Sequence, residues 1–256
     1  YASGGPANTV IDVWKAAAPN IDVLAPDIYT TDPATYLGFL DAYARPDNPL
    51  MIPETGRTRD YARFFFAAMG RGAIGWAPFG IDHTRYRTTR PVTPLMDDEA
   101  LAPFAANFAL FRPIARQWAK LAFEGKTWGV VEPTDPAAKH MQTVALGRYK
   151  AVASFGRGDF GNAPPKGNDY PSGGAAIAAI GPDEFLVTGF NTRIDFEMAN
   201  PKAANVILRR VEAGHYAPDG QWVFERVLNG DQVDWGLNFS AAPQMLRVKL
   251  ATYPIR

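Results

Sequence analysis

The sequence predicts an α/β segment followed by an all-β one: the last part of a (β/α)8 TIM barrel over residues 1–124, then an antiparallel β-sandwich over residues 125–256. Three observations predict this. Strand-length apolar runs alternate with helix-spaced segments up to about residue 90, and the run ends Tyr29, Glu54 and Trp76 fall 25 and 22 residues apart, the pitch of successive parallel βα units. Beyond Gly125 the texture changes to short apolar runs separated by turn signals. Three units do not close an eight-stranded barrel, so the reading implies five further strands upstream, on the order of a hundred residues or more.

The elements follow in order. Val10 to Ala18 has a helical pattern and ends before Pro19-Asn20; Ile21 to Tyr29 is an apolar run of strand length. Thr31-Asp32-Pro33 offers a capping side chain and a proline for the first helical position, with Tyr36, Leu37, Leu40 and Tyr43 following at helical spacing. Leu50 to Pro53 is the next strand and carries Glu54 at its tip. Asp60 to Met69 is an apolar helix whose Phe64-Phe65-Phe66 run serves packing, and Ala73 to Ala77 is a third strand. A long helix spans Asp98 to Glu124, starting or broken near Pro103 and bent at Pro113. Strands are then expected over 126–131, 142–155, 175–180, 184–190, 205–211, 222–227 and 246–251. Turns are expected at Gly181-Pro182-Asp183, Ala217-Pro218-Asp219-Gly220 and Asn229-Gly230, and a long Gly/Pro/Asn-rich loop over 156–174.

Composition narrows the function. Twenty-six basic and 26 acidic residues cancel, which gives no positive field for a phosphate backbone and argues against nucleic acid as a partner. No apolar run reaches the roughly 18 residues that span a bilayer, so no membrane partner is expected. With no cysteine there is neither a disulfide nor thiol chemistry. His83, His140 and His215 are far apart and lack metal-site spacing, so no metal is expected. The opening at Tyr1, with no methionine and no signal peptide, reads as the middle of a longer polypeptide.

Glu54 is the main candidate for chemistry. A carboxylate directly after an apolar strand is costly in a core, yet the C-terminal ends of barrel strands are where catalytic groups collect. A helix-start acid favoured by the helix dipole is the structural alternative. The ordered set Ser3-Gly4-Gly5-Pro6, Pro26-Asp27-Ile28-Tyr29, Pro49-Leu50-Met51-Ile52-Pro53-Glu54-Thr55-Gly56 and Gly75-Trp76-Ala77-Pro78-Phe79-Gly80-Ile81-Asp82 resembles the C-terminal part of bacterial β-galactosidases of glycoside hydrolase family 35, over essentially the whole chain. The β-rich tail resembles the accessory domain that follows the barrel in one bacterial branch of that family.

The resemblance implies a retaining mechanism with two carboxylates, in which Glu54 is the nucleophile and the acid/base residue lies in the upstream part. It implies no metal or organic cofactor, a β-galactoside oligosaccharide or polysaccharide side chain as substrate, and a periplasmic or secreted location. Tyr29, at the end of the preceding strand, is expected beside Glu54 as a hydrogen-bond donor that orients it, with a rim aromatic as the alternative. Asp27 shares Tyr29's face by strand alternation and is expected to be structural. Trp76 is expected to stack on the sugar, with a core tryptophan as the alternative. Phe79, Asp82 and His83 are candidates for lining the pocket, Asp82 by accepting from sugar hydroxyls. Arg57 and Arg59 read as solvated loop charges, and Tyr216, Trp222 and Trp235 as core residues of the β domain. A β-glucosidase or β-mannanase-like enzyme of the same clan, and a non-catalytic carbohydrate-binding fragment, are the competing readings.

Overall fold

A computed structural model of the protein describes residues 6–81, 97–156, 163–242 and 244–255. A short 3-10 turn (Asn8–Val10) leads into α1 (Ile11–Ala17). The apolar run ending at Tyr29 pairs as a strand only over β1 (Asp27–Ile28). Pro26 has no N–H to contribute to a ladder, and before it the buried Asn48 side chain takes a strand's place. Its Oδ1 accepts from Leu24 N–H at 2.8 Å and its Nδ2 donates to Leu24 O at 2.9 Å. One amide thus supplies both the acceptor and the donor of a neighbouring backbone.

Asp32 and Pro33 open α2 (Pro33–Tyr43) as the sequence predicts. The Asp32 side chain accepts from Thr35 N–H at 2.8 Å, and hydrogen bonding to the Thr35 side chain, then to its N–H, holds the carboxyl below the usual range. After β2 (Met51–Thr55), the helix expected over 60–69 forms as two pieces, α3 (Arg59–Ala62) and α4 (Phe64–Gly70), joined at Arg63. β3 (Gly75–Pro78) completes a parallel sheet in the order β1-β2-β3. Then come α5 (Asp98–Phe111), capped by Asp97, a 3-10 turn at Arg112–Ile114 and α6 (Ala115–Phe123). The bend falls at Pro113 as expected, whereas Pro103 lies inside α5.

The remainder is antiparallel. β4 (Thr127–Val131) precedes a hairpin, β5 (Met141–Leu146) and β6 (Tyr149–Ser154), which the sequence reading took as one stretch. β7 (Gly174–Gly181) and β8 (Glu184–Phe190) flank the predicted Gly181-Pro182-Asp183 turn. β9 (Thr192–Met198), β10 (Asn205–Tyr216) and β11 (Trp222–Val227) follow. Asn229-Gly230 makes no hairpin turn; it opens α7 (Gly230–Val233), where Asn229 and Gln232 cap each other's backbone. β12 (Leu237–Phe239) and β13 (Gln244–Tyr253) end the chain. The strands form a six-stranded sheet, β11-β10-β13-β8-β7-β4, and a four-stranded one, β12-β9-β6-β5. A core of Tyr149, Phe155, Ile177, Val187, Ile194, Leu246 and their neighbours fills the space between the two sheets.

The other face of the six-stranded sheet is not solvent. Val131, Ala176, Leu186, Phe190 and Met245 belong to the same core as the helices and the parallel sheet, so one apolar layer joins the two segments. The Phe64-Phe65-Phe66 run makes that layer by pointing three ways. Phe64 stacks on Tyr36 of α2 at 3.9 Å; Phe65 meets Trp76 and Phe111 edge-on at 5.6 and 5.0 Å; Phe66 reaches Phe190 of β8 at 5.2 Å. Helix α4 sits on β4 where Gly70 faces Gly129. A Cβ on Gly70 would lie 2.1 Å from the Gly129 nitrogen, so only glycine permits this approach.

Two buried charges lock the joint. The guanidinium of Arg63, 1% exposed, donates to three carbonyls: Asp60 O at 3.2 Å, Glu132 O at 2.9 Å and Thr31 O at 3.1 Å. It therefore ties the β1–α2 loop, α3 and the end of β4 together. The Glu132 carboxylate, fully buried, accepts from the backbone N–H groups of Asn168, Ser172 and Gly173 and from Asn168 Nδ2, all at 2.7–2.8 Å. Burial pushes the Arg63 pKa down, and the negative charges of Glu132 and Asp60 offset part of that shift. Replacing Glu132 by alanine leaves three buried backbone donors without their acceptor and removes one negative charge that favours the Arg63 guanidinium, whose three carbonyl partners remain. The expected loss is about 3–5 kcal/mol of unfolding free energy, read from urea denaturation at neutral pH; a loss below about 1 kcal/mol would show that the cage is incidental.

Candidate functional site

Among the described residues, the parallel sheet is covered on one face only. Ile28, Ile52, Thr55, Trp76 and Pro78 are buried against the helices, while Asp27, Tyr29, Pro53, Ala77 and Phe79 are exposed on the other side. Simple alternation would put Glu54 on the helix side with Ile52. A β-bulge between Ile52 and Thr55 prevents this: Ile52 pairs with Trp76 and Thr55 with Pro78, so three steps on β2 oppose two on β3. The extra residue turns Glu54 toward the open face, where it is partly exposed. Pro53 favours the bulge because it has no N–H to give to a regular ladder.

The buried side of the strand tip is fixed by a chain of hydrogen bonds. Trp76 Nε1–H donates to Tyr36 Oη at 3.0 Å, and Thr55 Oγ1 donates to Ile28 O at 2.7 Å. With the Thr55 proton so used, the 3.1 Å contact between Tyr36 Oη and Thr55 Oγ1 has Tyr36 as donor. Burial pushes the Tyr36 pKa up to about 12, so the phenol keeps its proton for this contact. Sequence reasoning missed Thr55 and Tyr36; their polarity inside an otherwise apolar run and helix face was the available signal.

On the open face, Tyr29 Oη donates to Glu54 Oε1 at 2.5 Å. Partial burial, then the bond to Glu54, raise the Tyr29 pKa well above the ordinary phenol value, so the phenol is a donor at any working pH. Asp27 sits opposite Glu54 in the β1–β2 register, and desolvation followed by the Glu54 charge raises its pKa. Thus two carboxylates and a phenol share the C-terminal ends of β1 and β2.

The remaining candidates separate. Trp76 does not face this site: it is 5% exposed and packs on Phe65, Phe104 and Phe108 between sheet and helices, so its ring is a packing element with no open face for a sugar. Its register partner Ile52 shares that side, which is the physical reason. Phe79 is 43% exposed beside the strand tip, with its N–H donated to Thr55 O at 2.8 Å. Asp82 and His83 lie outside the described residues. Arg57 Nη1 donates to Gly80 O at 3.1 Å, and Arg59 lies over the Tyr170 ring at 3.5 Å, so both loop charges have specific partners. Tyr170 Oη also donates to Asp60, which brings the 163–173 loop of the β domain onto the loop that follows Glu54. Tyr216 is buried with Trp222 against it, whereas Trp235 is exposed. Among the described residues no group of three His, Asp or Glu side chains is placed to hold a metal ion.

Residues 104–240 match a sequence family described as a domain of unknown function, DUF5597. The chain belongs to this family. Among curated proteins none matches the chain. The DUF5597 match starts within α5 and stops before β13, although β13 lies between β10 and β8 in the six-stranded sheet. It therefore takes in the last helices of the α/β segment and most of the sandwich.

The raised pKa of Asp27 has a testable sign. Its folded-state pKa lies above the unfolded value, so its contribution to stability is present below about pH 3.9 and is lost as pH rises through the folded-state value. Asp27→Asn is expected to raise the midpoint of thermal unfolding at pH 7 and to leave it unchanged near pH 3. An equal change at both pH values would show that Asp27 acts through packing instead of charge.

Proposed function

We propose that this chain carries the nucleophile of a retaining exo-β-galactosidase. The observation that carries the reading is Glu54 on a bulge at the C-terminal end of the central parallel strand, with the Tyr29 hydroxyl bonded to it at 2.5 Å. Support comes also from the uncovered sheet face. Parallel sheets occur almost only with both faces covered, and here the face that the described residues leave uncovered holds Asp27, Tyr29 and Glu54. In a closed (β/α)8 barrel that face is the interior, and these strand ends form its catalytic mouth.

In this mechanism the ionised Glu54 oxygen attacks the anomeric carbon as an upstream carboxylic acid gives its proton to the leaving oxygen. The glycosidic bond breaks and a glycosyl ester of Glu54 forms. The upstream group, now a carboxylate, takes a proton from water as that water attacks the anomeric carbon, releasing galactose and Glu54. Retention requires the two carboxyl groups to lie about 5–5.5 Å apart. Tyr29, neutral and donating, holds Glu54 in line and withdraws charge from it as it leaves. The proposed substrates are terminal β-galactosyl residues of oligosaccharides or polysaccharide side chains. No metal or organic cofactor enters the scheme, and the proposed location is the periplasm or the exterior.

A fluorinated galactoside that accumulates the ester tests this, applied to a polypeptide that holds this chain together with the upstream strands. Peptide mapping is expected to place the label on Glu54, and Glu54→Gln is expected to lower kcat by at least about three orders of magnitude with the fold intact. Label on another residue, or activity that survives the substitution, would overturn the assignment. Faster turnover of an aryl β-glucoside or β-mannoside than of the β-galactoside would keep the mechanism and replace the sugar.

A further inference from the structure

A groove of about 730 Å³ opens between the loop that follows Glu54 and the β domain. Arg57 and Arg59 line one side, Glu99 at the start of α5 another, and Tyr170, Ser172 and Asn191 of the β domain the third. We infer that this groove binds the sugar units on the leaving-group side of the bond broken at Glu54, so that the DUF5597 domain is part of the substrate site. The inference rests on the glycosidase reading and extends it to residues of the second segment.

Position comes first. Arg57 lines the groove and is three residues from Glu54, so at most about 11 Å of backbone separates Glu54 from the near end of the groove. An oligosaccharide with its terminal unit at Glu54 extends naturally into it. Its volume is within the range of small-molecule sites, roughly 300–1,000 Å³.

The lining chemistry selects the ligand class. Two guanidinium groups are matched by the carboxylates of Asp97 and Glu99, which removes any net preference for an anion. Hydroxyls and an amide add groups that both donate and accept, as a neutral polyol requires. Pro103 and Ala100, both half-buried, give the groove apolar surface for sugar C–H faces.

The walls are also held rigid. Asn191 has a left-handed backbone with φ 47°, which side chains seldom adopt and which clusters at ligand sites. It is kept there by hydrogen bonds: its Nδ2 donates to Ser172 Oγ at 2.8 Å, its N–H to Ser240 O and its carbonyl accepts from Asn168 Nδ2 at 2.9 Å. Asn168, Ser172 and Gly173 are in turn clamped by the buried Glu132, so the groove needs little ordering when a ligand enters.

The test uses this chain and a β-linked galactotetraose as the probe, followed by backbone-amide NMR. Saturable shifts are expected at Arg59, Tyr170 and Asn191. Ala241→Trp, which puts a large ring into the groove from an exposed loop position, is expected to weaken binding at least tenfold. Asn191→Gly keeps the left-handed backbone, removes the amide and is expected to weaken it severalfold. Absent shifts, or affinity untouched by both substitutions, would overturn the inference. In the barrel-containing polypeptide, Ala241→Trp is expected to lower kcat/KM for the tetraose several times more than for an aryl monogalactoside; equal losses would contradict the groove's role. Binding in the groove with covalent label away from Glu54 would defeat the catalytic reading alone. Label on Glu54 with a silent groove would defeat this inference alone.

Discussion

The buried pair of charges at Arg63 and Glu132 is the constraint on which the arrangement of this protein depends. Neither group meets the other's charged end directly among the contacts described. The guanidinium is satisfied by three carbonyls, and the carboxylate by three backbone N–H groups and one side-chain amide. Isolated charges would be prohibitive in this interior, so each cage must be complete for the other segment to dock. Arg63 gathers the strand-end loops of the α/β segment, and Glu132 gathers the 163–173 loop of the sandwich. Their shared location ties the two segments together, and the aromatic layer from Tyr36 through Phe190 fills the space around it.

This constraint reaches the candidate site through short links. Glu132 holds the loop that carries Tyr170, and Tyr170 packs against Arg59 and bonds Asp60, just beyond Glu54. On the other side, Thr55 and Tyr36 pin the bulge from beneath. The carboxylate of Glu54 thus projects from a strand whose buried neighbours on both sides are fixed, while the side chain itself is partly exposed. A rigid backing behind one partly exposed carboxylate is the arrangement that the proposed role of Glu54 requires.

The fold was legible where a single residue type dictates local geometry. Asp32-Pro33 fixed a helix start, Gly181-Pro182-Asp183 a hairpin, and Pro113 a bend. Features that depend on partners far along the chain were not. Asn48 stands in for a strand, which no local pattern signals. β9 is different: Arg193, Asp195 and Glu197 alternate with Ile194, Phe196 and Met198 at the period of a half-buried strand, so its signal was present locally and went unread. Glu132 looks like an ordinary acid at a strand end, yet its role comes from donors 36 to 41 residues away. Trp76 was placed on the wrong face because position along a strand says nothing of side without the register. Glu54 faces outward only because of the bulge, for which Pro53 was the one sequence clue.

The most direct test of this account is native-state hydrogen exchange at the Asn168, Ser172 and Gly173 amides. They lie in a segment with no helix or strand, where exchange through local opening is the ordinary behaviour. If the Glu132 cage binds the two segments into one body, these amides will exchange with the same opening free energy as those of α4 and β7, close to that of global unfolding. Exchange at the rate of a free loop, while α4 and β7 stay protected, would contradict it.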